Sequence, residues 1–397
     1  MGSDPAHLPL LSDQPVAAGD RWIYSAGCNV DADLRDTDRI DCELADLDRL
    51  AAAGARVAIL SHQGSHRDGT ARPLGHIADH LARRLRRPVD YVEDNTGAAA
   101  VARAHALEPG QLALFGNTRF HAGEERNDPA LAREFARLGD RVAVGGFSKA
   151  HRAHASNVGL VDLLPAYAAD SLVEEITALT PWTGVREDLF SVAVLGGTKP
   201  EKTVHGLAHL TLGYDLVIPG GVVLNTLLRA AGHDIGASEL GGAPERCLRV
   251  ATEVLARDNR AEIHLPDHVV AVDPRTPDGV PTLVAVADGV PAGLAIVDFL
   301  PRPDILTRLQ DPGRDARAVV AGTPSRYLDG HGRAADLLLR ALRGPRWHTL
   351  LMGGDTVADL PWNGPSSTGG GSALEYLATG TGAVLEALTR HRTGVRR

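Results

Sequence analysis

Short runs of Val, Ile and Leu, each closed by Gly, Asp or Pro, alternate along this chain with helical patterns of about ten residues or more. The runs are Trp22–Cys28, Arg56–Ser61, Leu112–Phe115, Val142–Val144, Ser191–Leu195, Asp215–Pro219, Val270–Val272, Ala318–Val320 and Thr349–Met352. None alternates cleanly between apolar and polar, so each reads as a parallel strand buried on both faces. Amphipathic stretches such as Asp41–Ala53, Leu74–Leu85 and Ala130–Leu138 lie between them. Strand and helix in alternation build an α/β doubly wound architecture. Leu164–Asp188 is the linker candidate: a helix-like stretch, Ala166–Ala178, precedes Pro181 and Gly184 and divides the chain nearly in half.

Charge and cysteine usage narrow the class. The 41 basic residues against 50 acidic ones give a net charge of −9. No basic footprint for nucleic acid exists outside the short tail Arg390–Arg397. Cys28, Cys42 and Cys247 are too few and too widely spaced for a disulfide framework or a zinc site, which suits a reducing cytoplasm. The opening MGSDPAHLPLLSDQP has neither the basic nor the apolar region of a secretory signal, and no run of about 18 apolar residues could cross a membrane. Lys149, Lys199 and Lys202 are the three lysines. Two of them stand three positions apart beside a glycine pair.

In an open α/β sheet, ligands bind beyond the carboxyl ends of the strands. The first-half strand ends carry amides, histidines and arginines: Asn29, His62, Asn117–Arg119, then His151 and Arg152. Arginines from distant segments can clamp a phosphate or carboxylate through paired hydrogen bonds, although most arginines in so arginine-rich a chain decorate its surface. The second-half ends carry glycine pairs, Gly196-Gly197, Gly220-Gly221 and Gly353-Gly354, where a phosphorylated ligand can approach bare backbone. GGTKPEKT (Gly196–Thr203) fits neither the GxxxxGK[ST] nor the GxGxxG spacing; a solvated glycine turn is its plain alternative. In MGGDT (Met352–Thr356), Asp355 suits Mg²⁺ shared with phosphates, or equally the cap of the next helix. STGGGSALEYL (Ser367–Leu377) opens a helix whose free amides could face a growing negative charge. WNGP (Trp362–Pro365) reads as a turn with an aromatic anchor.

Taken in order, NVDADLRDTDRI, RVAILSHQG, NTRFHAGEERNDP, AHRAHASNVG, VAVLGGTKPEK, GGDT and STGGGSALEYL resemble the phosphoglycerate kinase family from about Asn29 to Leu388. The resemblance implies two Rossmann-like domains joined by a hinge helix: residues 1–170 binding the acceptor, 171–188 as hinge and 189–382 binding nucleotide. It also implies a closing segment, 383–397, that packs back on the first domain. It implies ATP/ADP and Mg²⁺, and a monomer in the cytoplasm with small-molecule substrates only, touching neither nucleic acid nor membrane. By residue, Arg39 and Lys199 would meet the transferring phosphoryl group, with the helix start at Gly369, Gly370 and Gly371 receiving it. Asp355 would hold the metal. Asn29, His62, Arg119, His151 and Arg152 would bind the acceptor. Gly196, Gly197, Lys202, Gly220, Gly221, Asp329, Gly353, Gly354 and Thr356 would bind the nucleotide. Phosphoryl transfer needs alignment and positive charge more than covalent help, and each such contact is worth roughly 3 kcal/mol in the transition state.

The departures cluster on the acceptor side. Where the family reads VDFNVP this chain has AGCNVD, so Gly27 replaces an aspartate that binds the substrate hydroxyl. Ser65 replaces a phosphate-binding arginine, and Val144-Gly145 an Asn-Asp pair. Arg67 and Lys149 are the cations available to compensate. The GGTKPEK loop is also one residue shorter than the usual GGAKVSDK. These changes predict transfer of the ATP γ-phosphoryl group to a carboxylate other than 3-phosphoglycerate, forming an acyl phosphate. Capture of that acyl phosphate by an amine co-substrate would make the chain an amide ligase. The alternatives are a genuine 3-phosphoglycerate kinase of glycolysis and a non-catalytic nucleotide-binding homologue.

Overall fold

Strands with no polar face need cover on both sides, and the two large sheets of this protein receive it from flanking helices. The computed structural model describes residues 7–30, 33–35, 37–276, 279–367 and 369–393. Asp31, Ala32 and Asp36 of the NVDADLRDTDRI segment, Thr368 of the STGGG segment and residues 394–397 of the basic tail lie outside them. Residues up to Thr180, together with those from Thr381 onward, form one unit, and Pro181–Gly380 forms the other.

In the first unit, β1 (Arg21–Ser25), β2 (Arg56–Ser61), β3 (Val89–Val92), β4 (Leu112–Asn117), β5 (Arg141–Val144) and β6 (Ala166–Ala168) make one parallel sheet in the order β3-β4-β2-β1-β5-β6. Trp22, Tyr24, Leu47, Ile59, Ile77 and Leu81 are packed in its core. A fully buried side chain of this size stabilises the fold by about 1.5–3 kcal/mol. The helix Pro129–Ala136 starts where local chemistry dictates: the Asp128 carboxylate accepts from the Ala130 amide at 2.8 Å, and proline follows it. The closing helix Ala383–Thr393 belongs to this unit; the Val384 amide donates to the Ala150 carbonyl at 3.0 Å.

In the second unit, β7 (Phe190–Leu195), β8 (Leu216–Pro219), β9 (Glu262–Ile263), β13 (Ala316–Ala321), β14 (Trp347–Met352) and β15 (Ser366–Ser367) form a second parallel sheet, ordered β15-β14-β13-β7-β8-β9. Beside it, β10 (His268–Val272), β11 (Thr282–Ala285) and β12 (Ala295–Leu300) form a three-stranded antiparallel sheet. Val192, Val194, Ile218, Val269, Phe299 and Leu338 share one core.

Three local expectations are corrected. Val270–Val272 is antiparallel: β10 pairs antiparallel with both β11 and β12. Ala166–Ala168, read as the start of the linker helix, is the edge strand β6 in register with Val142–Val144, and the helix begins only at Asp170. The stretch Asp41–Ala53 is broken into helices Asp38–Asp41 and Leu44–Ala52, because Glu43 turns inward at the break.

Both parallel sheets change winding direction at a central strand. In the first, the chain leaves β1 towards β2 and later returns on its other side as β5. In the second, it leaves β7 towards β8 and returns as β13. The loops that splay apart at such a point make the crevice in which α/β proteins bind ligands.

Candidate functional site

At the β1/β5 switch point the structure gathers most of the predicted acceptor residues. Asn117, at the end of β4, ties neighbouring strand ends together. Its side-chain carbonyl accepts from the Gln63 and Arg119 amides (3.3 and 2.9 Å), and its amide group donates to the Gln63 and Arg72 carbonyls (both 2.8 Å). That network fixes His62 and Arg119. The Asn29 side-chain oxygen accepts from the Gly64 amide at 3.2 Å, and its backbone carbonyl accepts from Arg39 Nη1 at 3.0 Å. Arg39 is thus brought to the same strand end from the short helix Asp38–Asp41.

His62 is buried, and its pKa lies well below the ordinary histidine value. Burial disfavours its cation, and Lys149, Arg119, His154 and Arg152 add positive charge nearby. His154 is depressed to about 3 for the same reasons, burial first. Arg119 is buried and ion-paired with Glu125, and its Nε has no hydrogen-bond partner. Arg152 is exposed, on the turn after Phe147–Lys149, with the half-buried His151 beside it. These groups make a neutral-histidine, guanidinium-rich basin suited to a small anion.

Sequence reasoning missed Glu43, which looks like one more polar residue on a surface helix. It is fully buried; its carboxylate accepts from Tyr24 OH (2.5 Å), Ser171 OH (3.0 Å) and the Gly27 amide (3.0 Å). Burial raises its pKa while these bonds oppose the rise. A Cβ on Gly145 would stand 2.1 Å from Glu43 Oε2, so the glycine leaves room for this carboxylate. Glu124 was also missed; it accepts from Thr118 and Ser156 and anchors the segment that carries His154.

At the β7/β13 switch point of the second unit, backbone approaches backbone. A Cβ on Gly196 would lie 2.2 Å from the Thr323 carbonyl oxygen, and one on Gly220 would lie 2.2 Å from that of Pro324. Beside this crossing opens a cavity of about 230 Å³, lined by Gly197, Gly221, Asn225, Phe299, Tyr327 and Asp329 among others. Asn225 and Tyr327 had no signal in the sequence motifs. Gly353, at the end of β14, has φ +102 and leads into the helix Gly354–Asp359, where Asp355 stands in the first turn rather than at the cap.

The shortened loop separates its two lysines. The chain winds from Lys202 to Leu207 as a π-helical turn, which carries Lys202 inward and leaves Lys199 in solvent. Lys199 Nζ donates to Asp355 Oδ2 at 2.6 Å. Burial, with the adjacent Lys199 charge, lowers Lys202 to about 8. A Cβ added at Gly353 would lie 3.6 Å from Lys202 Nζ, so this ammonium backs the bare GGDT turn. Thr356 is buried, and its hydroxyl accepts from the Gly322 amide at 2.9 Å. Gly369 donates to Ser367 Oγ at 3.0 Å, and Gly370 stands over open space at the start of the helix Gly371–Thr379.

This site suits a nucleotide better than a resident metal. No group of three or more His, Cys, Asp or Glu residues able to hold a metal exists among the described residues. The exposed Asp355 carboxylate can contribute to Mg²⁺ that keeps phosphate and water ligands, which is how Mg²⁺ is usually bound. Among the described residues, no helix is long and apolar enough to cross a membrane.

Comparison with known proteins agrees with the geometry. The family model described as phosphoglycerate kinase matches residues 24–391. A phosphoglycerate kinase of Rhodospirillum centenum is 35% identical over 383 residues, covering 92% of this chain and 95% of that protein. The structure of phosphoglycerate kinase from Coxiella burnetii superposes with a TM-score of 0.73 at 25% identity, covering 98% of this chain and all (100%) of that one. The enzyme from Pyrococcus horikoshii shares the fold, with a TM-score of 0.75 at 23% identity over 98% of this chain and 100% of that one.

Proposed function

The chain belongs to the phosphoglycerate kinase family, an ATP-dependent family of kinases that use ATP/ADP with Mg²⁺, and we propose that it moves the ATP γ-phosphoryl group reversibly to the carboxylate of 3-phosphoglycerate. The observation that carries this reading is full-length similarity to phosphoglycerate kinases, joined to retention of Arg39, Lys199, Asp355 and the Gly369–Gly371 helix start. Nothing in the relatives supports an acid other than 3-phosphoglycerate, or an amine co-substrate, as the altered acceptor motifs had led us to expect.

In the second unit, Gly197 and Gly221 present bare backbone to the nucleotide, Gly196 and Gly220 let the Thr323–Pro324 backbone close in behind them, and Asp329 borders the cavity that takes the nucleoside. Lys202, Gly353, Gly354 and Thr356 line the phosphate side. Asp355 would hold Mg²⁺, which when bound neutralises phosphate oxygens. Its carboxylate must then exchange Lys199 for the metal. Lys199 is thereby released to follow the negative charge as the phosphoryl group moves. The amides of Gly369, Gly370 and Gly371 donate to the same group from a helix start. In the first unit, Asn29, His62, Arg119, His151 and Arg152 hold the acceptor, and Arg39 aligns its carboxylate. Transfer requires the two sites to meet with water excluded, and we assign that motion to segment 171–188.

A coupled assay with 3-phosphoglycerate and MgATP tests the proposal: turnover within the ordinary enzymatic range is expected, and none would remove it. One observation favours a second reading. Gly27 and Ser65 stand where the resemblance places two acceptor contacts, and the Gly27 amide is instead spent on the buried Glu43 carboxylate at 3.0 Å. ADP release with another carboxylic acid, but not with 3-phosphoglycerate, would establish that reading instead.

A further inference from the structure

Lys149 is a buried cation whose nearby carboxylates, Glu124 and Glu43, favour its charge without pairing with it. Its side chain is buried (3% exposed), and it makes no ion pair among the described residues. Its ammonium donates to Ser25 Oγ at 2.7 Å, and the Ser25 hydroxyl in turn donates a hydrogen bond to the Ser156 carbonyl. An ammonium has three donors, so two are unspent among the described residues. The neighbouring carboxylates do not answer them. Glu43 is committed to Tyr24, Gly27 and Ser171, and Glu124 to Thr118 and Ser156. Leaving a charge buried and unpaired is costly, so a fold that keeps one has a use for it.

The surroundings are built to admit this side chain. A Cβ on Gly146 would lie 3.0 Å from Lys149 Cε, and one on Gly27 would lie 2.6 Å from Gly146 Cα. A side chain at Gly146 would meet the lysine stem, and one at Gly27 would displace Gly146. Other buried groups at this strand end also carry unpartnered nitrogens: Arg119 Nε and His154 Nδ1. Lys149, Arg119 and Arg152 are near enough to disfavour a charge on His62. Arg67, the other cation that could replace the arginine missing at Ser65, is exposed on a turn.

We propose that Lys149 is an acceptor-binding residue that donates its two free N–H groups to the non-reacting phosphate of the acceptor and restores the positive charge lost at Ser65. Gly27, Gly145 and Gly146 are then not eroded positions. Gly145 and Gly146 are the space that Glu43 and Lys149 need, Gly27 is the space that Gly146 needs, and the pocket has exchanged a guanidinium on its rim for an ammonium in its floor. The inference rests on the functional reading above. It adds a specificity determinant: acceptors with a phosphate or second anionic group are preferred over glycerate, which has none. Burial lowers Lys149 to about 8, opposed by Glu124, Glu43 and Cys28 and reinforced by Arg119. His62 and His154 are neutral at the same pH and do not titrate alongside it. The ammonium, and with it the contact, is therefore lost as pH rises through about 8.

The test is calorimetric titration of the full-length protein with 3-phosphoglycerate in the absence of nucleotide, from neutral pH to above 9, alongside steady-state turnover. Wild type, Lys149→Met, Lys149→Arg and Arg67→Ala are compared. Lys149→Met is expected to weaken 3-phosphoglycerate about tenfold or more in Kd and KM, with the KM for ATP unchanged. Lys149→Arg should recover part of the loss, and Arg67→Ala should match wild type. Wild-type affinity should fall above pH 8, and Lys149→Met should show no such fall. Equal affinity in wild type and Lys149→Met overturns the inference. Should Lys149→Met not fold, a flat wild-type profile through pH 8 overturns it. Wild type that binds 3-phosphoglycerate without turnover defeats the functional reading and spares this one. If wild type does not bind it at all, titration with inorganic phosphate decides: weakening by the substitution upholds the role of Lys149, and equal or absent binding refutes it.

Discussion

Lys199 and Lys202 stand one helical turn apart in sequence yet in opposite environments, and the chemistry divides accordingly. Lys199 is solvent-exposed and held by Asp355, so it can change partner as charge moves. Replacing it with alanine should lower kcat about a hundredfold or more while the KM for ATP changes little, because the contact strengthens only in the transition state. Steady-state kinetics with varied MgATP checks this split. Lys202 is buried, and its pKa of about 8 lies below the usual 10.5. A lysine shifted downward penalises the fold while it is charged. The penalty is present at neutral pH and is relieved as pH rises from about 8 through 10.5. A bound phosphate removes that penalty where the ammonium is charged. Calorimetric melting should therefore show MgADP stabilising the second unit more at pH 7 than at pH 9.5.

At the scale of elements, one arginine holds the entry to the second unit. Arg317, on β13, is buried with its guanidinium spread over Ser191 Oγ (2.9 Å) and the carbonyls of Thr183 (2.9 Å), Pro181 (3.3 Å) and Gly184. Arg317→Met would leave those carbonyls unpaired. A loss of about 3 kcal/mol in urea unfolding of the second unit is expected, with faster proteolysis within 181–188. The elements themselves were legible unevenly. β2, β4, β7, β8, β13 and β14 could be read as unbroken apolar runs, because burial on both faces leaves that imprint. β9 and β15 are two-residue edges, too short to carry a pattern. β10 imitates a parallel strand in composition although its partners run antiparallel. The motif residues could be found because glycine turns and strand-end arginines are local signals. Glu43 could not, since nothing local distinguishes a carboxylate that turns under β1 from one that faces water. Lys149 was visible only as a spare cation; its burial with a single side-chain hydrogen bond among the described residues is a property of the packing around it.

At the scale of the whole molecule, each unit has its own core and its own strand-end site, and each should answer to its own ligand. The helix Ala383–Thr393 belongs to the first unit although it follows the second in the chain. Truncation after residue 381 should lower the unfolding temperature of the first unit and leave ADP affinity of the second within about twofold, checked by calorimetry and nucleotide titration on the same sample. This threading also bears on biogenesis. Pro181–Gly380 is continuous and can fold as soon as it has left the translating ribosome. The unit before it must wait until the polypeptide has been extended by another full domain and the last helix arrives, where His391 accepts from the Ala166 amide of β6 at 3.3 Å. The half made first is thus completed last, and mistakes during synthesis, such as trapping by chaperones or premature termination, should fall on the first unit.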